Sequence, residues 1–276
     1  MGFFKRLFGG EDKRPLPLEE VEQLISPLAV PAIQLVPSSS ETRSYFGGEP
    51  RLPAGIAWPE REGQPLTFLA SIDLPSIASV VELDWLPRTG RLLFFYDIEG
   101  QAWGFDPKDR GSSRVLHVND DRGSAASPST SKALPRRFMS PRRIDSYPSY
   151  ERQEMSALNL TDEQSDAASE ISGAVFGATP CHQMGGYPYP VQGDAMELEC
   201  QLASGGLYVG DPSGYADIRA KALESGAGEW RLLLQMDSDN DLGVMWGDGG
   251  IIYFWIRESD ARAGRFDQAW LILQCY

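Results

Sequence analysis

Gly185-Gly186-Tyr187-Pro188, then Leu232-Leu233-Leu234-Gln235-Met236-Asp237, then Gly250-Ile251-Ile252-Tyr253-Phe254-Trp255-Ile256 is the series whose reading decides the fold. An earlier copy of the pattern runs Gly47-Gly48-Glu49-Pro50, Phe68-Leu69-Ala70-Ser71-Ile72-Asp73 and Gly90-Arg91-Leu92-Leu93-Phe94-Phe95-Tyr96. In both, a Gly-Gly-x-Pro turn precedes an apolar run ending in Asp, and a Gly then opens an aromatic strand. A pattern repeated in order points to a repeated structural unit. The expectation is an α+β fold built on an internal duplication, two β-rich pseudo-repeated halves packed together with a few peripheral helices. The strands Gly90–Tyr96 and Gly250–Ile256 should then occupy equivalent places.

Working outward, residues 1–29 read as an N-terminal tail and helix, 30–150 as the first half, 151–179 as a helical connector and 180–276 as the second half. Leu18, Val21, Leu24 and Ile25 have helical spacing, and Pro27 and Pro31 close that helix. Strands are expected at 31–37, 66–74, 90–96, 101–105, 114–118, 143–147, 230–236, 250–256 and 270–275. Thr161 and Gln164 have the spacing of a capping box. Ser213 is placed to cap a short helix that Gly226 ends. The stretch Gly123–Ser131 is low-complexity and reads as a flexible excursion.

The chain has 276 residues, enough for a sizeable core, and its aromatics (11%) with frequent Gly and Pro favour sheets joined by turns. Its net charge is −14. Only residues 101–150 are net basic, with nine basic against five acidic side chains, whereas 151–200 hold one basic and nine acidic. Nucleic-acid binding needs an extended cationic face, so no nucleic-acid partner is expected. Three cysteines without a C-x-x-C pattern fit a reducing, cytoplasmic setting. The first eight residues, Met1 to Phe8, lack the apolar length of a signal peptide or span, so no stable membrane anchoring is expected.

The chemical candidates are few. Of the two histidines, His117 alternates within a strand and reads as structural, while His182 precedes Gln183-Met184-Gly185-Gly186 and reads as a pocket rim. Cys181 and His182 are adjacent, and neighbours on extended chain point opposite ways, which argues against a nucleophile pair. Asp237, Asp239, Asp241 and Asp248 stand at loop positions 1, 3, 5 and 12, the spacing of calcium ligands. The turn glycine is one place late at Gly243 and strands flank the loop, so a turn-rich hairpin connection is the plainer reading and no metal or cofactor is expected. Phosphate-loop, dinucleotide, nucleophile-elbow and zinc-protease motifs are absent from the sequence. Trp58, Trp103, Tyr187, Tyr189, Gln192 and Trp246 lie near Gly/Pro turns, where loops form clefts and partner faces.

Read together, Gly185-Gly186-Tyr187-Pro188-Tyr189-Pro190-Val191-Gln192-Gly193-Asp194, Leu233–Asp237 and Trp246-Gly247-Asp248-Gly249-Gly250 resemble the YwqG-like family of bacterial proteins. Leu52-Pro53, Trp58-Pro59, Pro65–Ala70 and Leu86–Gly90 extend the resemblance to roughly residues 30–275. Ser71 departs from it, standing where the family often has Gln, while the second copy keeps Gln235. The resemblance implies a duplicated α+β fold without an established catalytic mechanism. Because some members are encoded beside toxin systems, it also implies an immunity or protein-interaction role. The expectation is a non-enzymatic interaction module with a basic toxin domain as partner, the alternative being a hydrolase or small-ligand protein with a cleft between the halves. Its binding face would comprise His182, Tyr187, Tyr189, Gln192, Asp194, Asp237, Trp246 and Asp248. The same residues also read as the seam between the halves, with Asp237 and Asp248 capping turns.

Overall fold

A computed structural model describes residues 18–119, 128 and 132–276. The N-terminal residues 1–17 and nearly all of the low-complexity stretch Gly123–Ser131 lie outside them. The strands are β1 (Val30–Pro37), β2 (Ser44–Phe46), β3 (Glu60–Arg61), β4 (Gln64–Pro65), β5 (Thr67–Asp73), β6 (Arg91–Tyr96), β7 (Ser113–Val118), β8 (Arg137–Ser146), β9 (Gln183–Met184), β10 (Trp230–Asp237), β11 (Ile251–Arg257) and β12 (Trp270–Gln274). The helices are α1 (Leu18–Ile25), α2 (Leu74–Ala78), α3 (Gln153–Ser156), α4 (Asp162–Ala174), α5 (Met196–Ser204), α6 (Ser213–Ala216), α7 (Ala220–Glu224) and α8 (Glu258–Arg262). The fold is α+β, with mostly antiparallel pairing.

One ten-stranded sheet runs in the order β12-β11-β10-β9-β1-β8-β2-β5-β6-β7 and curls into a nearly closed barrel. At its centre β1 pairs with β8 over eight residues, from Val30 opposite Ser146 to Pro37 opposite Met139. On one side lies the wing β2-β5-β6-β7, on the other β9-β10-β11-β12. Each wing carries a bulge in its long hairpin: Leu69 is inserted between the Phe68–Phe95 and Ala70–Phe94 pairs, and Leu233 between Leu232–Trp255 and Leu234–Phe254. β8, expected only over 143–147, starts at Arg137, because Tyr45 and Phe46 of β2 pair with Phe138 and Arg137.

Both faces of the sheet are covered, which explains why β5, β6 and β12 are buried along their whole length. Alternation divides the residues between layers. Leu92, Phe94 and Tyr96 of β6 meet Ile252, Phe254 and Ile256 of β11 inside the curl, where Phe94 and Phe254 lie edge to face at 5.1 Å. The opposite face of β11, with Ile251, Tyr253 and Trp255, is covered by Met196, Cys200 and Ala203 of α5. The corresponding face of β6, with Leu93 and Phe95, is covered by Leu52, Trp58 and Leu66. α1 and α4 pack on each other through Val21, Ile25, Ala168 and Ile171.

Two local expectations need correction. Residues 101–105 form no strand. They pass between the two sheet edges, Trp103 accepting from Leu273 N and Phe105 from Val209 N, with a left-handed turn at Gly104. A Cβ at Gly104 would overlap the carbonyl oxygen of Leu271, so only glycine fits. Ser213 makes no capping bond: Pro212 precedes the helix, Asp211 accepts the Ser213 N–H, and the expected single helix is the pair α6 and α7. The Thr161–Gln164 capping box forms with both reciprocal bonds, at 3.2 and 2.9 Å.

Candidate functional site

The segment from Gly185 to Asp194 lies against the outer face of the β9–β12 wing, and side chains from four successive strands hold its backbone. Gln183 of β9 donates to Gly185 O and Tyr187 O, both at 2.7 Å. Gln235 of β10 accepts from Tyr189 N at 2.8 Å and donates to Cys181 O. Tyr253 of β11 donates to Tyr189 O at 2.8 Å. Gln274 of β12 accepts from Val191 N and Gln192 N and donates to Gly193 O. A loop laid on a sheet must satisfy its own N–H and C=O groups, and an amide side chain can serve one of each. All three glutamines are essentially solvent-free. Ser71, opposite Tyr45 in the other wing, is equally buried and its hydroxyl has no hydrogen-bond partner.

The loop opens on Gly185 and Gly186, both at positive φ, and a Cβ on Gly186 would collide with Ser146 Oγ. That hydroxyl accepts from Tyr187 N and itself donates to Val30 O. At the far end, Arg152 forks onto Asp194, Nε to Oδ2 and Nη2 to Oδ1, both at 2.6 Å, and reaches Glu197 Oε1 at 2.8 Å. The same guanidinium lies 5.2 Å from the Tyr187 ring centroid. Burial works against the Arg152 charge, but the Asp194 hydrogen bond and the Glu197 and Asp194 charges outweigh it and hold the group more firmly protonated than usual. Burial raises the Glu197 carboxyl despite Arg152, and pushes Glu199, close to Glu197, Asp194 and Glu151, up to about 7. Glu199 Oε2 is buried without a hydrogen-bond partner.

Beside Gly185, Gly186 and Tyr187 lies a cleft of about 360 Å³, walled by Trp85, Trp230 and Trp255 and edged by Arg152 and Glu197. It is concave and carries four aromatic side chains, Tyr187 with the three tryptophans, among aliphatic residues, a lining suited to ligand and partner sites. Its charged groups are paired before anything arrives, Arg152 with Asp194 and Glu197, and Arg231 with Glu258 at 2.9 Å.

Of the eight expected site residues, the structure brings Tyr187, Tyr189, Gln192 and Asp194 together on this loop. Tyr187 faces the cleft, and Tyr189 lines a smaller groove with Tyr147 and Ala168. Gln192 ties the loop to Cys275 O at 2.8 Å. His182 is no pocket rim. It is fully buried, edge-on to Phe46 at 4.9 Å, and its Nδ1 accepts Asp237 N at 3.1 Å, so Nε2 carries the proton toward Asp239 Oδ2 at 3.4 Å. Trp246 packs in the inner core against Tyr96, and Asp248 is exposed in the turn before β11.

Cys181 turns to the opposite side from His182, and burial with the Asp237 charge pushes its thiol up to about 12, which leaves it a poor nucleophile. The Asp-rich loop is tied within the protein: Asp237 accepts Cys181 N, and Arg137 reaches Asp239 at 3.1 Å and Asp241 at 2.8 Å. Burial would raise Asp239, but His182, the Asp241 N–H and Arg137 hold it below the usual carboxylate range. Among the described residues no group of three or more His, Cys, Asp or Glu is arranged to hold a metal ion, and no helix is long and apolar enough to cross a membrane. Arg152, Glu197 and the three tryptophans of the cleft were not among the expected residues. One signal was available: Arg152 is the single basic residue of 151–200.

Compared with protein families, the chain matches the one described as a domain of unknown function, DUF1963, over residues 44–275. The chain belongs to the DUF1963 family. The matched span takes in both wings, the Gly185–Asp194 loop and the cleft lining apart from Val30 and Pro31, and leaves α1 and β1 outside. No curated protein matches the chain.

Proposed function

We propose that the protein is a non-enzymatic interaction module that engages a basic protein partner through the Gly185–Asp194 loop and the cleft beside it. One observation carries this reading: a loop fixed by Gln183, Gln235, Tyr253 and Gln274 presents Tyr187 to an aromatic cleft. A pre-ordered loop loses little entropy on binding, and Tyr and Trp give large contact area with few rotors. The two cations that line the cleft, Arg152 and Arg231, are paired with Asp194, Glu197 and Glu258, so neither is free to repel a basic partner, and a net charge of −14 favours rapid encounter with a basic domain. A toxin domain is the candidate consistent with the YwqG-like motif series, and a cytoplasmic setting suits both.

The duplicated unit belongs to the same proposal. The matching bulges at Leu69 and Leu233, and the symmetric placing of the wings about β1 and β8, support a common origin for 30–150 and 180–276. Failure of Arg91–Tyr96 to superpose on Ile251–Ile256 with their neighbouring strands would remove it.

The small-ligand alternative has one observation in its favour, the Trp255 indole N–H, which has no hydrogen-bond partner in a residue lining the cleft. Affinity capture with wild type and with Tyr187→Ala, each checked for an unchanged melting midpoint, separates the two. We expect a basic protein retained by wild type and lost by the variant. A metabolite seen by native mass spectrometry in the wild type, with no protein retained, would overturn the interaction reading.

A further inference from the structure

At the outer edge of the sheet, between the edge strands β7 and β12, a second pocket of about 170 Å³ lies between residues 109–114 and 267–271. Its framework is fixed by Trp270 Nε1 donating to Gly104 O at 2.8 Å and Leu273 N donating to Trp103 O at 3.0 Å. Arg110 and Arg114 both line it. The Arg110 guanidinium lies 5.0 Å from the centroid of the buried Trp270 ring, and Arg114 is half-buried. Neither has a carboxylate partner among the described residues. Arg61, Arg137, Arg152, Arg231 and Arg265, by contrast, each meet a carboxylate.

Two carboxylates also border the pocket, Asp109 committed to partners outside it and Asp267 bonded to the neighbouring Gln268 of the same lining. Asp109 Oδ2 accepts Gly104 N and Asp106 N, its Oδ1 faces Arg61, and Asp267 accepts the Gln268 amide at 2.8 Å. The hydroxyls of Ser112 and Ser113, also in the lining, make no hydrogen bond within the described structure and supply further donors. Guanidinium groups, here one exposed at Arg110 and one half-buried at Arg114, are the side chains best suited to an oxyanion, which they bind with charge-assisted hydrogen bonds.

We propose that this pocket is a binding site for a phosphate-type oxyanion, held by Arg110 and Arg114 with the Ser112 and Ser113 hydroxyls. It is separate from the cleft beside Tyr187 and does not depend on the interaction reading.

Isothermal titration of the full chain with inorganic phosphate, at ionic strength held constant with chloride, tests it. Saturable 1:1 binding is expected, weakened at least about tenfold by Arg114→Gln, since one charge-assisted contact is removed. Asp267→Asn, which removes the competing charge, should tighten it. Glycerol 3-phosphate in a parallel titration identifies the source: tighter binding than phosphate indicates a phosphate ester, equal binding the free ion, and either supports the site. No saturable binding, or equal affinity in Arg114→Gln and wild type, overturns it. If Arg114→Gln fails to fold, Arg110→Gln, which alters an exposed guanidinium, takes its place in the same comparison.

Discussion

Glu199 is the residue whose surroundings oppose its charge most openly. Burial and the neighbouring Glu197, Asp194 and Glu151 raise its carboxyl to about 7, and Oε2 finds no donor. The folded state therefore binds this proton more tightly than the unfolded chain, whose carboxyl titrates near 4.5. The stability contributed by the protonated form is fully present below that value and is lost as pH rises toward and through 7. Glu199→Gln keeps the shape and removes the charge. Its melting midpoint should stay nearly flat between pH 5.5 and 8, whereas the wild type falls, and at pH 8 the variant should be more stable by about 1–3 kcal/mol. Parallel midpoints across that range would show that the carboxyl is solvated after all.

At the scale of elements, the connection between the two sheet edges depends on one residue. Gly104 takes a left-handed turn against the Leu271 carbonyl, with Asp109 accepting its N–H. Any side chain must push β12 away from residues 103–105 and disturb the Trp270 Nε1 bond to Gly104 O. Gly104→Ala should cost about 3 kcal/mol or more, the sum of backbone strain and overlap with main chain that cannot rotate aside. Denaturant unfolding measures this directly, and a loss under about 1 kcal/mol would mean that the edge contact is dispensable.

Across the whole molecule, the central strands and the far wing are joined by charge as well as by the inner apolar layer. Arg137 at the start of β8 grips Asp239 and Asp241 in the β10–β11 connection, and Asp239 in turn receives His182. Removing the cation strands a nearly buried carboxylate, which costs far more than a surface pair would. Arg137→Leu should destabilise by about 2–4 kcal/mol at pH 7. Because Asp239 lies below the usual carboxylate range in the wild type, its contribution is present above pH 3.8 and is lost on further acidification. The difference between variant and wild type should therefore shrink in acid, and a gap unchanged down to pH 3 would assign the loss to packing instead.

Legibility in the sequence followed the range of the forces involved. The strands β6, β10, β11 and β12, the α1 helix and the Thr161 capping box were readable because periodicity and capping are local properties of neighbouring residues. The Gly185–Asp194 loop was readable as a turn-rich tyrosine segment for the same reason. Its rigidity was not, since Gln183, Gln235 and Gln274 look alike in sequence whether they face water or hold a backbone. Residues 101–105 carry strand-forming aromatics but have no continuous partner, so tertiary position overrode propensity. His182 read as a rim because Gly and Pro surround it in sequence, whereas Phe46 and Asp239, 136 positions before and 57 after it, bury it. The sequence by itself determined an α+β chain of aromatic strands with a net charge of −14. Only the tertiary structure decided that Arg152, Trp85, Trp230 and Trp255 share a cleft while Trp246 fills the core, because burial and proximity are set by contacts between residues far apart in the chain.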